Sequence, residues 1–168
     1  MAGFLPDRIA GGVPDLDGAE HKSWQNYLVT VLRMAALLNR ELLDAHQLSL
    51  ADVQLLDLLA NSPGGSVQLA ELAEALAAPP SRLNRHIRRL EERDLVARTV
   101  DLHDRRRVVA AITGPGKTLV DEALLTYANA VRIHFLGPLT RPQIAAMATT
   151  CRHISDGLKP TGRPRRPQ

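Results

Sequence analysis

A mainly α-helical fold carrying one small β-hairpin is predicted by three features of this chain. Apolar residues recur at steps of three and four along most of its length, the pattern of amphipathic helices. The period drops to two only at Val96–Val100 and Val108–Ile112, which read as two short paired strands joined by a polar tip. Just before them, two short helical segments are separated by the tight turn Ala77-Ala78-Pro79-Pro80, the spacing of a helix-turn-helix. A hairpin directly after such a pair occupies the place of a wing. The predicted architecture is a winged helix-turn-helix with flanking dimerisation helices.

In chain order, residues 1–18 are rich in Gly, Pro and Asp and read as a flexible N-terminal arm. Residues 19–47 hold a long helix. Its Trp24, Leu28, Val31, Ala35, Leu38, Leu42 and Ala45 form a seam suited to a second helix, which makes it a dimerisation helix. The winged helix-turn-helix region is placed at 48–113. There Ser49-Leu-Ala-Asp52 is a capping-box-like start, Leu55, Leu56 and Leu59 supply core contacts, and Ser62-Pro-Gly-Gly65 stops the helix. The next helix turns Leu69, Leu72, Ala73 and Leu76 to one side, with Ser66 as its expected cap. Residues 114–158 form two C-terminal helices, also assigned to dimerisation. Leu119, Ala123, Tyr127 and Val131 mark the first, and Ile144, Met147, Ala148, Cys151 and Ile154 the second, which Thr140-Arg-Pro-Gln143 caps. Residues 159–168 read as a basic flexible tail.

A chain of 168 residues, 45% hydrophobic, is long enough to bury one core without staples. Its one cysteine rules out an internal disulfide framework and fits a reducing compartment. The first residues carry no long apolar segment, and no apolar run approaches the length of a membrane helix. A cytoplasmic protein without membrane contact is expected. The net charge of +3 hides an uneven distribution. Residues 79–113 carry nine arginines against five acids, the last ten residues add four cations and no acid, and the remainder is acidic. One basic surface on an acidic body is the footprint of a protein that meets a polyanion on one side.

The basic surface centres on Ser81-Arg-Leu-Asn-Arg-His-Ile-Arg-Arg-Leu90. Leu83, Ile87 and Leu90 share one narrow helical face, so they are the buried side. Ser81, Arg85, Arg88 and Arg89 fall opposite, with Arg82 and Asn84 at the margins. A helix of this kind enters a major groove N-terminus first, where arginine reads guanine bidentately and asparagine reads adenine. Ser81, Arg82, Asn84, Arg85, Arg88 and Arg89 are the candidate DNA-binding residues of this helix, and Arg105, Arg106 and Arg107 those of the hairpin tip. The bland reading, a solvated charged surface helix, is weakened by the second cluster of arginines on the hairpin.

From Leu48 to about Glu122 the sequence resembles the multiple antibiotic resistance regulator (MarR) family of bacterial winged-helix transcription factors. The matching stretches are Leu69-Ala-Glu-Leu-Ala73, Ser81 with Arg85, Arg89-Leu-Glu-Glu-Arg-Asp-Leu-Val96, Asp104-Arg-Arg106 and Ile112-Thr-Gly-Pro-Gly116, in that order. His134-Phe-Leu-Gly-Pro-Leu-Thr140 resembles the family's outer helices as well. Three positions depart from the pattern. Pro79 and Pro80 replace small polar residues at the start of the recognition helix, and Asp94 stands where a glycine commonly ends it. The resemblance implies a homodimer on a palindromic operator in double-stranded DNA. It also implies a wing braced by Asp104, an arginine in the minor groove (Arg106 on register), and repression relieved by a small aromatic or anionic effector. That effector would sit between the dimer lobe and the winged lobes and shift the population of recognition-helix spacings. The alternative reading is a constitutive or architectural DNA-binding protein without ligand control, which would lack operator preference.

Other signals are read as structural. Gly114-Pro-Gly-Lys-Thr118 mimics the end of a phosphate-binding loop, but Ala111 stands where the first glycine is needed. Cys151, on an apolar stripe, reads as a small core residue. The six histidines form no metal-ligand pair on one helix face, so no metal and no cofactor are expected. No nucleophile–base pair supports catalysis, and an enzyme is not expected. Trp24 reads as seam packing and is the one candidate for effector contact.

Overall fold

The computed structural model describes residues 15–100 and 108–158. Six helices and three short strands run in the order α1 (Gly18–His46), α2 (Leu50–Ala60), β1 (Ser66–Gln68), α3 (Leu69–Ala75), α4 (Pro80–Glu91), β2 (Val96–Val100), β3 (Val108–Ile112), α5 (Gly114–Val131) and α6 (Arg141–Leu158). The expected arm up to residue 14, the hairpin tip with Asp104, Arg105, Arg106 and Arg107, and the basic tail 159–168 lie outside the described residues.

Helix α1 begins at Gly18, slightly before its expected start, because Asp17 and Glu20 close a capping box that the sequence reading passed over. The Asp17 carboxylate accepts from the amides of Ala19 (2.7 Å) and Glu20 (2.8 Å), and Glu20 accepts from the Asp17 amide at 2.9 Å. The far half of α1 buries Leu38 and Leu42 and packs against α5, where His46 Nε2 lies 2.8 Å from Thr126 Oγ1. Gln47, at φ +56°, ends the helix, and Asn39 Oδ1 accepts from the Leu50 amide to hold the corner into α2.

Ser49 and Asp52 form the expected capping box of α2. Leu55, Leu56 and Leu59 are buried as the apolar spacing predicts, and join Leu72, Ile87 and Leu90 in the centre of the core. Each fully buried leucine of this kind stabilises the fold by roughly 1.5–3 kcal/mol relative to exposure. After a 3-10 turn at Pro63–Gly65 the chain forms β1, which the sequence reading missed. Ser66 is therefore not a helix cap. It pairs with Ala111 on β3, and α3 starts at Leu69 with no side-chain cap. A three-residue strand with one apolar position has no readable period, and its only cause is a partner more than forty residues away.

The hairpin has the expected register, with Val96 opposite Ile112, Arg98 opposite Ala110 and Val100 opposite Val108. β3 is the central strand of an antiparallel sheet in the order β1-β3-β2. The apparent phosphate loop at the start of α5 has a packing explanation. A Cβ on Gly116 would stand 2.1 Å from the Leu95 carbonyl oxygen, so nothing larger than hydrogen fits there. Thr113 caps α5 by accepting from the Gly116 amide (3.0 Å) while its hydroxyl donates to the Asp94 carbonyl (2.6 Å). A π-helical turn at Arg132–Leu136 follows α5, and Gln143 Oε1 accepts from the amide and hydroxyl of Thr140 ahead of α6. No residue of α6 is buried. Cys151 is accordingly exposed rather than a core residue: of the stripe that carries it, only Ile144 is half-buried.

Candidate nucleic-acid interface

Helix α4 has two opposed faces. Leu83, Ile87 and Leu90 are buried, and Ser81, Arg82, Asn84, Arg85 and Arg88 are exposed, as the wheel predicts. No ion pair engages Arg82, Arg85 or Arg88 among the described residues. Among the described residues their charges are unneutralised and face solvent together, which is what phosphate and base-edge recognition needs. Pro79 and Pro80 replace a side-chain cap by backbone means. Pro80 has no amide to leave unpaired, and the Pro79 carbonyl accepts from Arg82 (2.9 Å) and Leu83 (3.1 Å).

Arg89 does not join that group. Its guanidinium closes on both oxygens of Asp52, a carboxylate only 1% exposed at the start of α2. Ser49 donates to the same carboxylate from its amide (2.9 Å) and hydroxyl (2.6 Å), and His86 Nδ1 stands 3.4 Å away. Burial pushes the Asp52 carboxyl up, but the hydrogen bonds from Ser49 and Arg89, with the charge of Arg89, outweigh it and hold the carboxyl below its ordinary value. Arg93 makes a second tie, donating to the Gln47 carbonyl at 2.6 Å and the His46 carbonyl at 3.5 Å. The end of α4 is thus fastened to the α1–α2 corner by Arg89 and by Arg93 just beyond it, and the outward side chains of its first turns remain exposed. The sequence reading placed Asp52 as a cap but missed its second role, because Arg89 and Arg93 are separated from their acceptors by 37 to 47 residues.

The end of α4 bears on one departure noted above. Asp94 sits at φ +57°, the left-handed region, with its amide bonded to the Glu91 carbonyl (3.0 Å) and the Leu95 amide bonded to the Leu90 carbonyl (2.9 Å). Aspartate therefore fills the position of the usual glycine without abolishing the helix stop. Arg98 on β2 pairs with Glu91 at 3.1 Å and braces the hairpin against α4. Of the other candidates, Trp24 is 48% exposed, with its ring centroid 6.0 Å from that of Tyr27 on the same helix. Among the described residues, no three His, Cys, Asp or Glu side chains gather as a metal site, and no helix is long and apolar enough to cross a membrane.

Residues 46–107, from the end of α1 through the hairpin, match the model of the MarR family. The chain carries a MarR-family winged-helix domain. A curated relative, the HTH-type transcriptional repressor MdtR of Bacillus subtilis (strain 168), is 31% identical over 84 residues, which cover 50% of this chain and 54% of that protein. The chain thus spans about half the length of the curated relative it matches. The MarR-family likeness extends further in three dimensions. Sco3205 of Streptomyces coelicolor, a MarR family transcriptional regulator solved in complex with DNA, superposes with a TM-score of 0.82 at 26% identity, over 88% of this chain and 93% of that one. BpsR of Bordetella bronchiseptica, whose DNA binding is regulated by 6-hydroxynicotinic acid, superposes with a TM-score of 0.71 at 25% identity, over 80% and 98%. Both of these structures superpose well beyond residues 46–107, so the likeness takes in helices outside the matched domain.

Proposed function

We propose that this protein is a homodimeric, sequence-specific DNA-binding transcriptional regulator, a repressor released by a small aromatic or anionic ligand. The observation that carries the reading is the outward face of α4, where Ser81, Arg82, Asn84, Arg85 and Arg88 are exposed together above a buried leucine–isoleucine face. Arg105, Arg106 and Arg107 belong to the same reading as wing contacts, with Asp104 as their brace. The likeness to a regulator bound to DNA supports it, and the likeness to one controlled by 6-hydroxynicotinic acid supports the ligand.

A second copy is needed on two grounds. One winged module contacts too few base pairs to be selective, and a two-fold pair matches half-sites about 34–36 Å apart. The chain also leaves large apolar side chains in water on its two outer helices, Trp24, Tyr27 and Val31 on α1 and Met147, Ile154 and Leu158 on α6. Exposed apolar surface of that extent marks an association site. Selection of bound fragments from a random DNA pool tests the reading. The expected product is one palindromic sequence preferred about 10³-fold or more over random DNA. Arg85→Ala is expected to weaken binding by about 1–3 kcal/mol and to relax preference at one base pair. A pool that emerges without a consensus would indicate an architectural protein instead.

A further inference from the structure

His86 is the one residue of α4 whose charge changes near neutral pH. On one side its Nδ1 lies 3.4 Å from Oδ1 of Asp52. The two oxygens of that carboxylate are unequally used. Oδ2 accepts from the amide and hydroxyl of Ser49 and from Arg89, whereas Oδ1 accepts from Arg89 alone among the described residues, which leaves it a lone pair for one more donor. A proton on Nδ1 answers that lone pair, and a bare Nδ1 would set two lone pairs against each other beside a buried charge. The Asp52 carboxyl is held below its ordinary value, so the anion that selects this tautomer is present wherever histidine titrates. On the other side, Nε2 has no partner among the described residues and is not shut off from solvent. It belongs to a ring that lines, with Arg82 one helical turn earlier, the recess between α2 and the turn from α3 to α4. The charged groups facing the imidazole are thus Asp52 from α2 and Arg82 and Arg89 from α4 itself, and the turn adds Leu76, Ala77 and Ala78, none of which titrates. With the first proton fixed on Nδ1, Nε2 carries a lone pair in the neutral ring and an N–H in the imidazolium. The neutral ring therefore repels an anion that approaches Arg82, and the charged ring donates to it.

We propose that His86 is a proton-dependent phosphate contact: as imidazolium it donates from Nε2 to the backbone phosphate that Arg82 engages, so each recognition helix takes up about one proton on binding DNA. Asp52 is the positioning residue of this contact, since it fixes the tautomer without touching the duplex. The contact is present in weak acid and is lost as pH rises through the range in which an imidazole gives up its proton. The proposal rests on the DNA-binding reading of α4, but the tautomer on which it turns belongs to the free chain.

A phosphate contact needs no particular sequence, so the probe is a mixed-sequence DNA duplex, titrated with the full chain at fixed salt and followed by fluorescence anisotropy. Affinity should rise at least about tenfold from about pH 8 to about pH 6. His86→Gln, whose amide offers a donor at every pH, should bind tightly with a slope against pH lower by about one proton per chain. His86→Ala should bind weakly across the same range. His103→Gln, which removes the other histidine of residues 79–113, should keep the slope of the parent chain. In the free chain, ring nitrogen chemical shifts of neutral His86 should place its proton on Nδ1. A proton found on Nε2 overturns the proposal whatever the variants do, and so does a slope that is the same with and without His86. A chain that binds the duplex equally at every pH removes the proposal alone. One that binds no duplex at any pH removes the DNA-binding reading, and this contact with it.

Discussion

Ala77 and Asp94 hold the same unusual backbone conformation for the same reason. Each follows the last turn of a helix, α3 or α4, and each lets the next amide reach back five residues, Ala78 to Ala73 and Leu95 to Leu90, both at 2.9 Å. A side chain at positive φ costs about 1–2 kcal/mol, less for aspartate, whose short polar group tolerates the region. Ala77, at φ +47°, has no such relief. Ala77→Gly should therefore raise stability by about 0.5–1 kcal/mol, or about 1–4 °C in Tm, after the extra chain entropy of glycine is subtracted. Thermal unfolding checks it, and a lower Tm would mean that the turn is not strained. Asp94 was legible because it stands where a glycine is commonly found. Ala77 was not, since nothing about alanine announces a left-handed turn.

At the scale of elements, α4 is positioned by polar ties as well as by its leucines. The Asp52–Arg89 pair and the Arg93 bonds join it to the end of α1 and the start of α2, so that its orientation is tied to theirs. Asp52→Asn leaves Arg89 without its partner charge, and should cost about 1–3 kcal/mol near neutral pH, with the lower range set by the solvent access of Arg89. The sign of the pH dependence follows from the direction of the shift. The folded carboxyl titrates below its ordinary value of 3.8, so its contribution is complete above that value and is lost as pH falls below it toward the folded one. Denaturant titrations of the two proteins should differ at pH 7 and converge in stronger acid. A gap that stays constant down to pH 2 would assign the effect of Asp52→Asn to packing rather than charge.

At the scale of the whole molecule, the surface is divided. Four exposed arginines crowd onto the short helix α4, whereas α1 and α6 each expose several large apolar side chains, α6 being a helix with no buried residue. Met147, Cys151, Ile154 and Leu158 are spaced by four, three and four, which puts them on one seam. Ile154→Glu on that seam should convert the proposed dimer into a monomer in light scattering, while α2 to α5 keep their fold because Ile154 is exposed and α6 contributes no buried residue to the core. An unchanged mass would move the interface off α6.

The apolar periods by themselves determined the helices, the hairpin register and the buried face of α4, because each is set by residues three, four or two apart. The cation pattern likewise separated the outward face of α4 from its core face. Only the tertiary structure decided that Arg89 is an anchor rather than a free cation, that Ser66 belongs to a strand, that Gly116 yields to a backbone approach, and that Cys151 lies outside the core of its own chain. Each of those depends on an atom distant in sequence or on its absence, and contact across folded space leaves no period to read.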